Sequence, residues 1–182
     1  MTRFILSVIT AALMLSSCRH AGDNKALNPG AGTPAAGRLT IEKEKHYFKV
    51  TVSEPWQNSS GIKHVWYLVP RDSAMPAGIS EAQTIRIPVR RMICMSATHI
   101  AMMRALGAES LIAGISGSSL IYDSVVREGL HNGTIRDVGY EGNLNMELVV
   151  SLAPDLLMAY GVADPSTGNT SRLSETGVKV FY

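Results

Sequence analysis

Between Arg91 and Tyr182 short aliphatic runs recur at intervals of about twenty residues, separated by segments of helical spacing. They are Met92 to Met95, Ser110 to Ser116, Thr134 to Gly139, Asp155 to Gly161 and Val178 to Tyr182. Runs this short, unbroken and aliphatic fit strands of a parallel sheet buried on both faces by helical crossovers. The first four end in small or polar residues, at Ser96, at Ser116–Gly117, at Gly139–Tyr140 and at Tyr160–Gly161. In an open parallel sheet the carboxyl ends of the strands form the ligand-bearing edge. The pattern therefore predicts where a ligand sits before it indicates which one.

The front of the chain reads as an address. A basic start, Met1 to Arg3, precedes a largely apolar stretch from Phe4 to Leu15, closed by Ser16, Ser17 and Cys18. A bilayer-spanning helix needs roughly 20 apolar residues, so this stretch is too short to span and matches a secretory signal. Leu15 to Cys18 resembles the bacterial lipobox, which implies cleavage before Cys18 and a lipid on its sulfur. An ordinary signal peptide followed by an incidental Cys is the alternative. Residues 1–17 are excluded from the fold on either account.

If Cys18 carries lipid, Cys94 has no partner, and the exported chain has no disulfide framework. Cys94 lies inside the first aliphatic run and reads as a small apolar filler. The net charge of +2 gives no argument for nucleic acid.

Residues 18–38, rich in Gly, Ala, Asn and Pro, lack apolar periodicity and read as a flexible tether. Residues 39–90 form a separate unit. Phe48, Val50 and Val52 alternate with polar neighbours, and His64 to Val69 resumes a strand pattern after the turn-rich Pro55 to Gly61. These two runs predict an antiparallel hairpin with a long loop. Thr84 to Val89 alternates again, and Pro88 assigns it to an edge.

Four helices are expected in residues 91–182. Thr98 to Leu106 is capped by Ser96 or Thr98 and stopped by Gly107. Ser119 to Leu130 is the weakest. Met146 to Leu152 is capped by Asn145 and followed by Pro154, and Ser171 to Thr176 ends at Gly177. The chain stops at Tyr182 in or just after a strand, which predicts a piece of a longer protein.

Pro88 to Ser96, Thr98–His99, Ala105 to Gly107 and Ile112 to Ser116 resemble the opening of class III periplasmic substrate-binding proteins. Asp137–Val138–Gly139 followed by Asn143 to Leu157 is the stronger match, and Leu173 to Val180 resembles the unit after it. The resemblance spans about Phe48 to Tyr182. It implies the N-terminal lobe of a two-lobed α/β protein, a parallel-sheet βαβ lobe preceded by a β-hairpin extension, with the second lobe missing. It also implies a function. Members capture a metal chelate (iron–siderophore, haem or cobalamin) between their lobes and dock on the permease subunits of an ABC importer. With the lipobox, it implies a periplasmic-side cell-envelope protein anchored through Cys18.

The residues at the predicted edge are the binding candidates. Ser96, Thr98 and His99 lie where the first strand meets its helix, and free N–H groups there attract acceptors; capping alone also explains Ser96 or Thr98. His99 faces either the cleft or solvent. Ser116, Gly117, Gly139 and Gly161 belong to the same edge. Tyr140 and Tyr160 offer a flat apolar face with a polar tip, suited to a macrocycle or to packing at a strand end. Glu141 reads as solvated. Glu147 matches the family's surface glutamate that pairs with permease arginines, and a carboxylate there also suits the helix dipole. Trp56 reads as packed on the body, and Arg90 and Arg91 as solvated at the opposite edge.

No catalytic set, cofactor or metal site is expected. The histidines show no ligand spacing, and neither a phosphate loop nor a nucleophile elbow occurs. The competing readings are an enzyme on a doubly wound fold, which fold class alone does not exclude, and an inert truncated fragment.

Overall fold

The computed structural model describes residues 33–56, 58–140, 142–160 and 169–182. The signal segment, Cys18 and Gly161 lie outside them, as does Glu141.

Strands β1 (Thr33–Ala36), β2 (Leu39–Lys43), β3 (Phe48–Ser53), β4 (Lys63–Pro70) and β5 (Thr84–Ile87) form one sheet in sequence order. The pairs from β1 to β4 are antiparallel, with Val50 opposite Trp66 in the β3–β4 hairpin. Strand β5 pairs parallel to β4 and occupies the edge, as Pro88 requires. This unit is larger than a hairpin. Residues 33–38, expected as the end of the tether, form β1 and a turn. Strand β1 pairs antiparallel with β2 through its backbone, a relation that composition does not encode.

The second sheet contains β6 (Met92–Cys94), β7 (Ile112–Ile115), β8 (Arg136–Asp137), β11 (Leu156–Met158) and β12 (Val180–Phe181), all parallel. The order is β12-β11-β6-β7-β8. The chain moves outward from β6 to β8 and then returns to the other side of β6, so the switch point lies between β6 and β11. Helices α1 (Ala97–Ala105), α2 (Ser124–Asn132), α3 (Met146–Ser151) and α4 (Asn169–Glu175) make the crossovers. A small ladder of β9 (Gly139–Tyr140) and β10 (Asn143–Leu144) stands between β8 and α3.

Alternating side chains sort onto two faces. Met92, Cys94, Ile115 and Leu156 pack with Ile100 and Met103 of α1, Val126 of α2 and Ile85 of the first sheet. Ile93, Leu157 and Val180 pack with Val149 of α3 and Leu173 of α4. Full burial of a side chain such as Leu173 or Val149 contributes about 1.5–3 kcal/mol. The first sheet also leans on the far strands, with Trp66 and Phe181 rings 6.2 Å apart.

Asp155 fastens the junction of the two sheets at the amino edge. Its Oδ2 accepts from the backbone N–H groups of Arg90 (2.7 Å) and Arg91 (3.1 Å) and pairs with Arg71 at 2.6 Å. Arg91 also donates through Nε to the Leu152 carbonyl at 2.8 Å. Arg90 and Arg91 therefore stand away from the ligand-bearing edge, and Arg91 works as a fastener.

Candidate functional site

The described residues that directly follow β6, β7, β8 and β11 lie at one carboxyl edge because the strands are parallel and in one sheet. The ladder runs up to that edge. Met95 N–H donates to the Met158 carbonyl (3.0 Å), Ser116 to Cys94 (3.1 Å) and Val138 to Ile115 (2.9 Å). The rim is thus set on hydrogen-bonded backbone.

Ser96 is the N-cap of α1. Its backbone is extended and its Oγ accepts from the His99 N–H at 3.3 Å. That decides the capping choice for Ser96 over Thr98, which is exposed in the first turn. His99 is 8% exposed and faces inward rather than solvent. Its ring hydrogen-bonds the Met158 carbonyl, while Nδ1 is buried without a partner. Burial holds the imidazole below its usual value, against the opposing pull of that carbonyl.

Gly117 adopts the left-handed region at φ 69° and opens a short 3-10 turn over Ser118–Leu120. Asp137 ties this loop to its neighbour: Oδ2 accepts from the Ser118 N–H and Oδ1 from the Gly139 N–H, both at 2.9 Å. Burial opposes its charge, but hydrogen bonds from Ser118, Gly139 and Gly117 outweigh burial and hold the carboxyl below its usual range. Gly139, at φ 84°, is needed for closure of β9 on β10, since a Cβ there would lie 2.3 Å from the Asn143 carbonyl oxygen. Its requirement is thereby explained without a ligand.

Tyr140 and Tyr160 are exposed, at 61% and 46%. Leu120 (72%) and Tyr122 (85%) join them from the connection after β7. Sequence reasoning missed these two because it extended the second helix back to Ser119. The usable signal was Asp123, whose Oδ1 caps α2 by accepting from Val125 (3.0 Å) and Val126 (3.1 Å). Tyr122 therefore lies before the helix, on the rim.

Glu147 is exposed in the first turn of α3, which Asn145 caps by accepting from Leu148 N–H at 2.9 Å. Trp56 is buried edge-on against His64 (5.2 Å) and Tyr182 (5.9 Å). The Cys94 thiol is pushed up to about 12 by burial, which leaves no thiolate for nucleophilic chemistry at neutral pH. Among the described residues no group of three or more His, Cys, Asp or Glu could hold a metal, and no helix is long and apolar enough to cross a membrane.

No protein-family model matches the sequence. An uncharacterized lipoprotein of Methanocaldococcus jannaschii is 29% identical over 101 residues, covering 50% of this chain and 24% of the relative. The chain thus spans about a quarter of the length of that curated relative. Among solved structures it is similar to a periplasmic vitamin B12-binding protein of Vibrio cholerae (21% identity, TM-score 0.42, 52% of this chain and 34% of the other). It is also similar to a periplasmic haem-binding protein of Pseudomonas aeruginosa (26%, TM-score 0.40, 51% and 30%). A third similar structure is an ABC-type ferric hydroxamate transport protein of Saccharomonospora viridis (25%, TM-score 0.35, 52% and 33%). Each of the three is named for binding or transport.

Proposed function

We propose that this chain is one lobe of a substrate-binding lipoprotein of an ABC importer. In this reading a metal chelate (an iron–siderophore, haem or a corrinoid) is enclosed between the carboxyl rim and a second lobe. Residues 91–182 supply the lobe, residues 39–90 an extension packed against it, and the lipid on Cys18 the anchor to the envelope membrane. Glu147 meets the permease. No covalent chemistry is involved.

The observation that supports this most is the convergence of exposed Leu120, Tyr122, Tyr140 and Tyr160 on one edge of a sheet whose switch point lies between β6 and β11. Exposed aromatic and aliphatic side chains at such an edge offer area for a large flat ligand, which binds mainly by burial with few orienting polar groups. Ser96, Thr98, Ser116, Gly117, Gly139, Tyr140, Tyr160 and Gly161 belong to this half-site. His99 supports it from beneath by linking α1 to β11.

Absorbance titration of the purified protein with haem, cyanocobalamin and ferric siderophores tests the reading. Saturable binding of at least one chelate is expected. Turnover of a cofactor-like compound without tight binding would overturn it.

A further inference from the structure

His99 acts on the rim from beneath it. The imidazole is 8% exposed and donates to the Met158 carbonyl. Nδ1 is buried and has no partner among the described residues, which leaves Nε2–H as the donor. The same carbonyl accepts the Met95 N–H at 3.0 Å, the ladder bond that closes β6 against β11 at the carboxyl edge. The next residue, Ala159, is buried and donates its N–H to the Phe181 carbonyl at 2.8 Å. Tyr160 follows, exposed on the rim. The imidazole therefore fixes the backbone from which Tyr160 projects, at a place where the neighbouring strands are not consecutive in the chain.

A second proton on the ring would go to Nδ1. It would bring a charge and a donor into a buried place that offers no acceptor. The readiest relief is for the ring to turn toward water, and that gives up the Met158 carbonyl. No neighbouring charge opposes this. On α1, Arg104 is bound to Asp123, and Glu109, in the turn beside α1, sets its charge against the same Arg104. Cys94 of β6 is an un-ionised thiol, and Asp155 lies at the other end of β11 with Arg71. Arg86 of β5 and Arg127 of α2 donate to carbonyls of Ser73 and Ile121. Burial and the Met158 carbonyl are what act on the ring.

Building on the carrier reading, we infer that neutral His99 is a positioning residue that holds the end of β11 and aims Tyr160 at the ligand. Protonation releases that hold, so the lobe keeps its ligand at neutral pH and loosens it in acid. A residue that only stabilised the fold would move neither the Tyr160 backbone nor the pH profile of binding.

Two readouts on the full chain in detergent test this. The first is NMR of the unliganded protein between about pH 7.5 and 5.5. His99 should appear as the Nε2–H tautomer at the upper end. The backbone amides of Ala159 and Tyr160 should shift with the midpoint of the His99 ring, below 6.5. His99→Gln keeps a donor without a titration and should hold these amides still. His99→Phe keeps the bulk without a donor and should displace them at every pH. The second readout is titration with cyanocobalamin and ferrioxamine B, whose own protonation is constant over this range. A probe that binds should lose at least about fivefold in affinity on acidification, and His99→Gln should remove most of that loss. An Nδ1–H tautomer, amides that ignore the His99 titration, or pH-independent binding would overturn the inference while leaving the carrier reading intact. Failure of the carrier reading shows differently: these probes and haem do not bind at the upper pH, while the amides still follow His99.

Discussion

The imidazole of His99, in the first turn of α1, hydrogen-bonds the backbone carbonyl of Met158, the last residue of β11. The contact spans the switch point, where the sheet has no covalent connection between adjacent strands. It joins the helix that follows β6, the first strand of the parallel sheet, to the strand that returns to the side of β6.

That relationship carries a pH prediction. Burial lowers the folded-state value of His99 from the ordinary 6.5, so below 6.5 the unfolded chain binds more protons than the folded one. Stability is fully present above 6.5 and is lost as pH falls from there toward the depressed folded value. His64, also lowered by burial, adds to the same slope. His99→Gln should reduce stability at pH 7.5 by about 1–3 kcal/mol and flatten the decline between about pH 6.5 and 5, leaving the His64 share. Thermal melts across pH check this. An unchanged slope would count against a buried neutral His99.

The two rim glycines should separate on substitution. Gly117 and Gly139 both have positive φ, but a Cβ at Gly117 meets open space while one at Gly139 meets the Asn143 carbonyl. Gly117→Ala should cost about 1–2 kcal/mol from backbone strain alone. Gly139→Ala adds a backbone clash and should cost about 3 kcal/mol or more. Denaturant titration of both variants reads the difference, and equal losses would contradict the distinction.

The parallel sheet was legible because its strands are buried on both faces, so the runs around Ile93, Ile115 and Leu157 stand out without alternation. Helix ends were legible where a cap residue directly precedes an apolar pattern, as at Ser96 and Asn145. At α2 the apolar Leu120 and Ile121 blurred the boundary, and only the N-cap geometry of Asp123 places it. Strand β1 was hidden because its pairing with β2 uses the backbone. Asp137 and Asp155 were missed as fasteners since each acts on N–H groups of other segments, a relation that no local spacing encodes. Asp155 reaches residues more than sixty positions away.

Asp155 gives a prediction on how the two sheets hold together. Its carboxyl lies below its usual range because hydrogen bonds from Arg71, Arg90 and Arg91 and the Arg71 charge outweigh the opposing effect of burial. Its contribution is present above the ordinary value of 3.8 and is lost as pH falls through the depressed folded value. Asp155→Ala leaves Arg71 and two backbone N–H groups without their shared acceptor and should cost about 2–4 kcal/mol. Hydrogen exchange should accelerate at Arg90 and Arg91 before it does in β7. Uniform acceleration would argue that Asp155 is no local fastener.

On the proposed carrier function, a variant at Glu147 separates recognition of the chelate from its delivery to the importer. It is exposed at the start of α3, whereas the rim tyrosines lie on the connections that follow strands. An exposed charge steers and orients an association, and contributes little to binding at a separate surface. Glu147→Ala in the full-length protein should leave chelate affinity within about twofold of wild type. Uptake through the importer should fall by about tenfold, with the loss growing at low ionic strength, where the charge acts over a longer range. The helix-dipole role of the same carboxylate predicts instead a loss of about 0.3–1 kcal/mol in stability with uptake preserved. Parallel melts, solution titrations and uptake assays on the one variant distinguish the two roles, and a large drop in chelate affinity would contradict both.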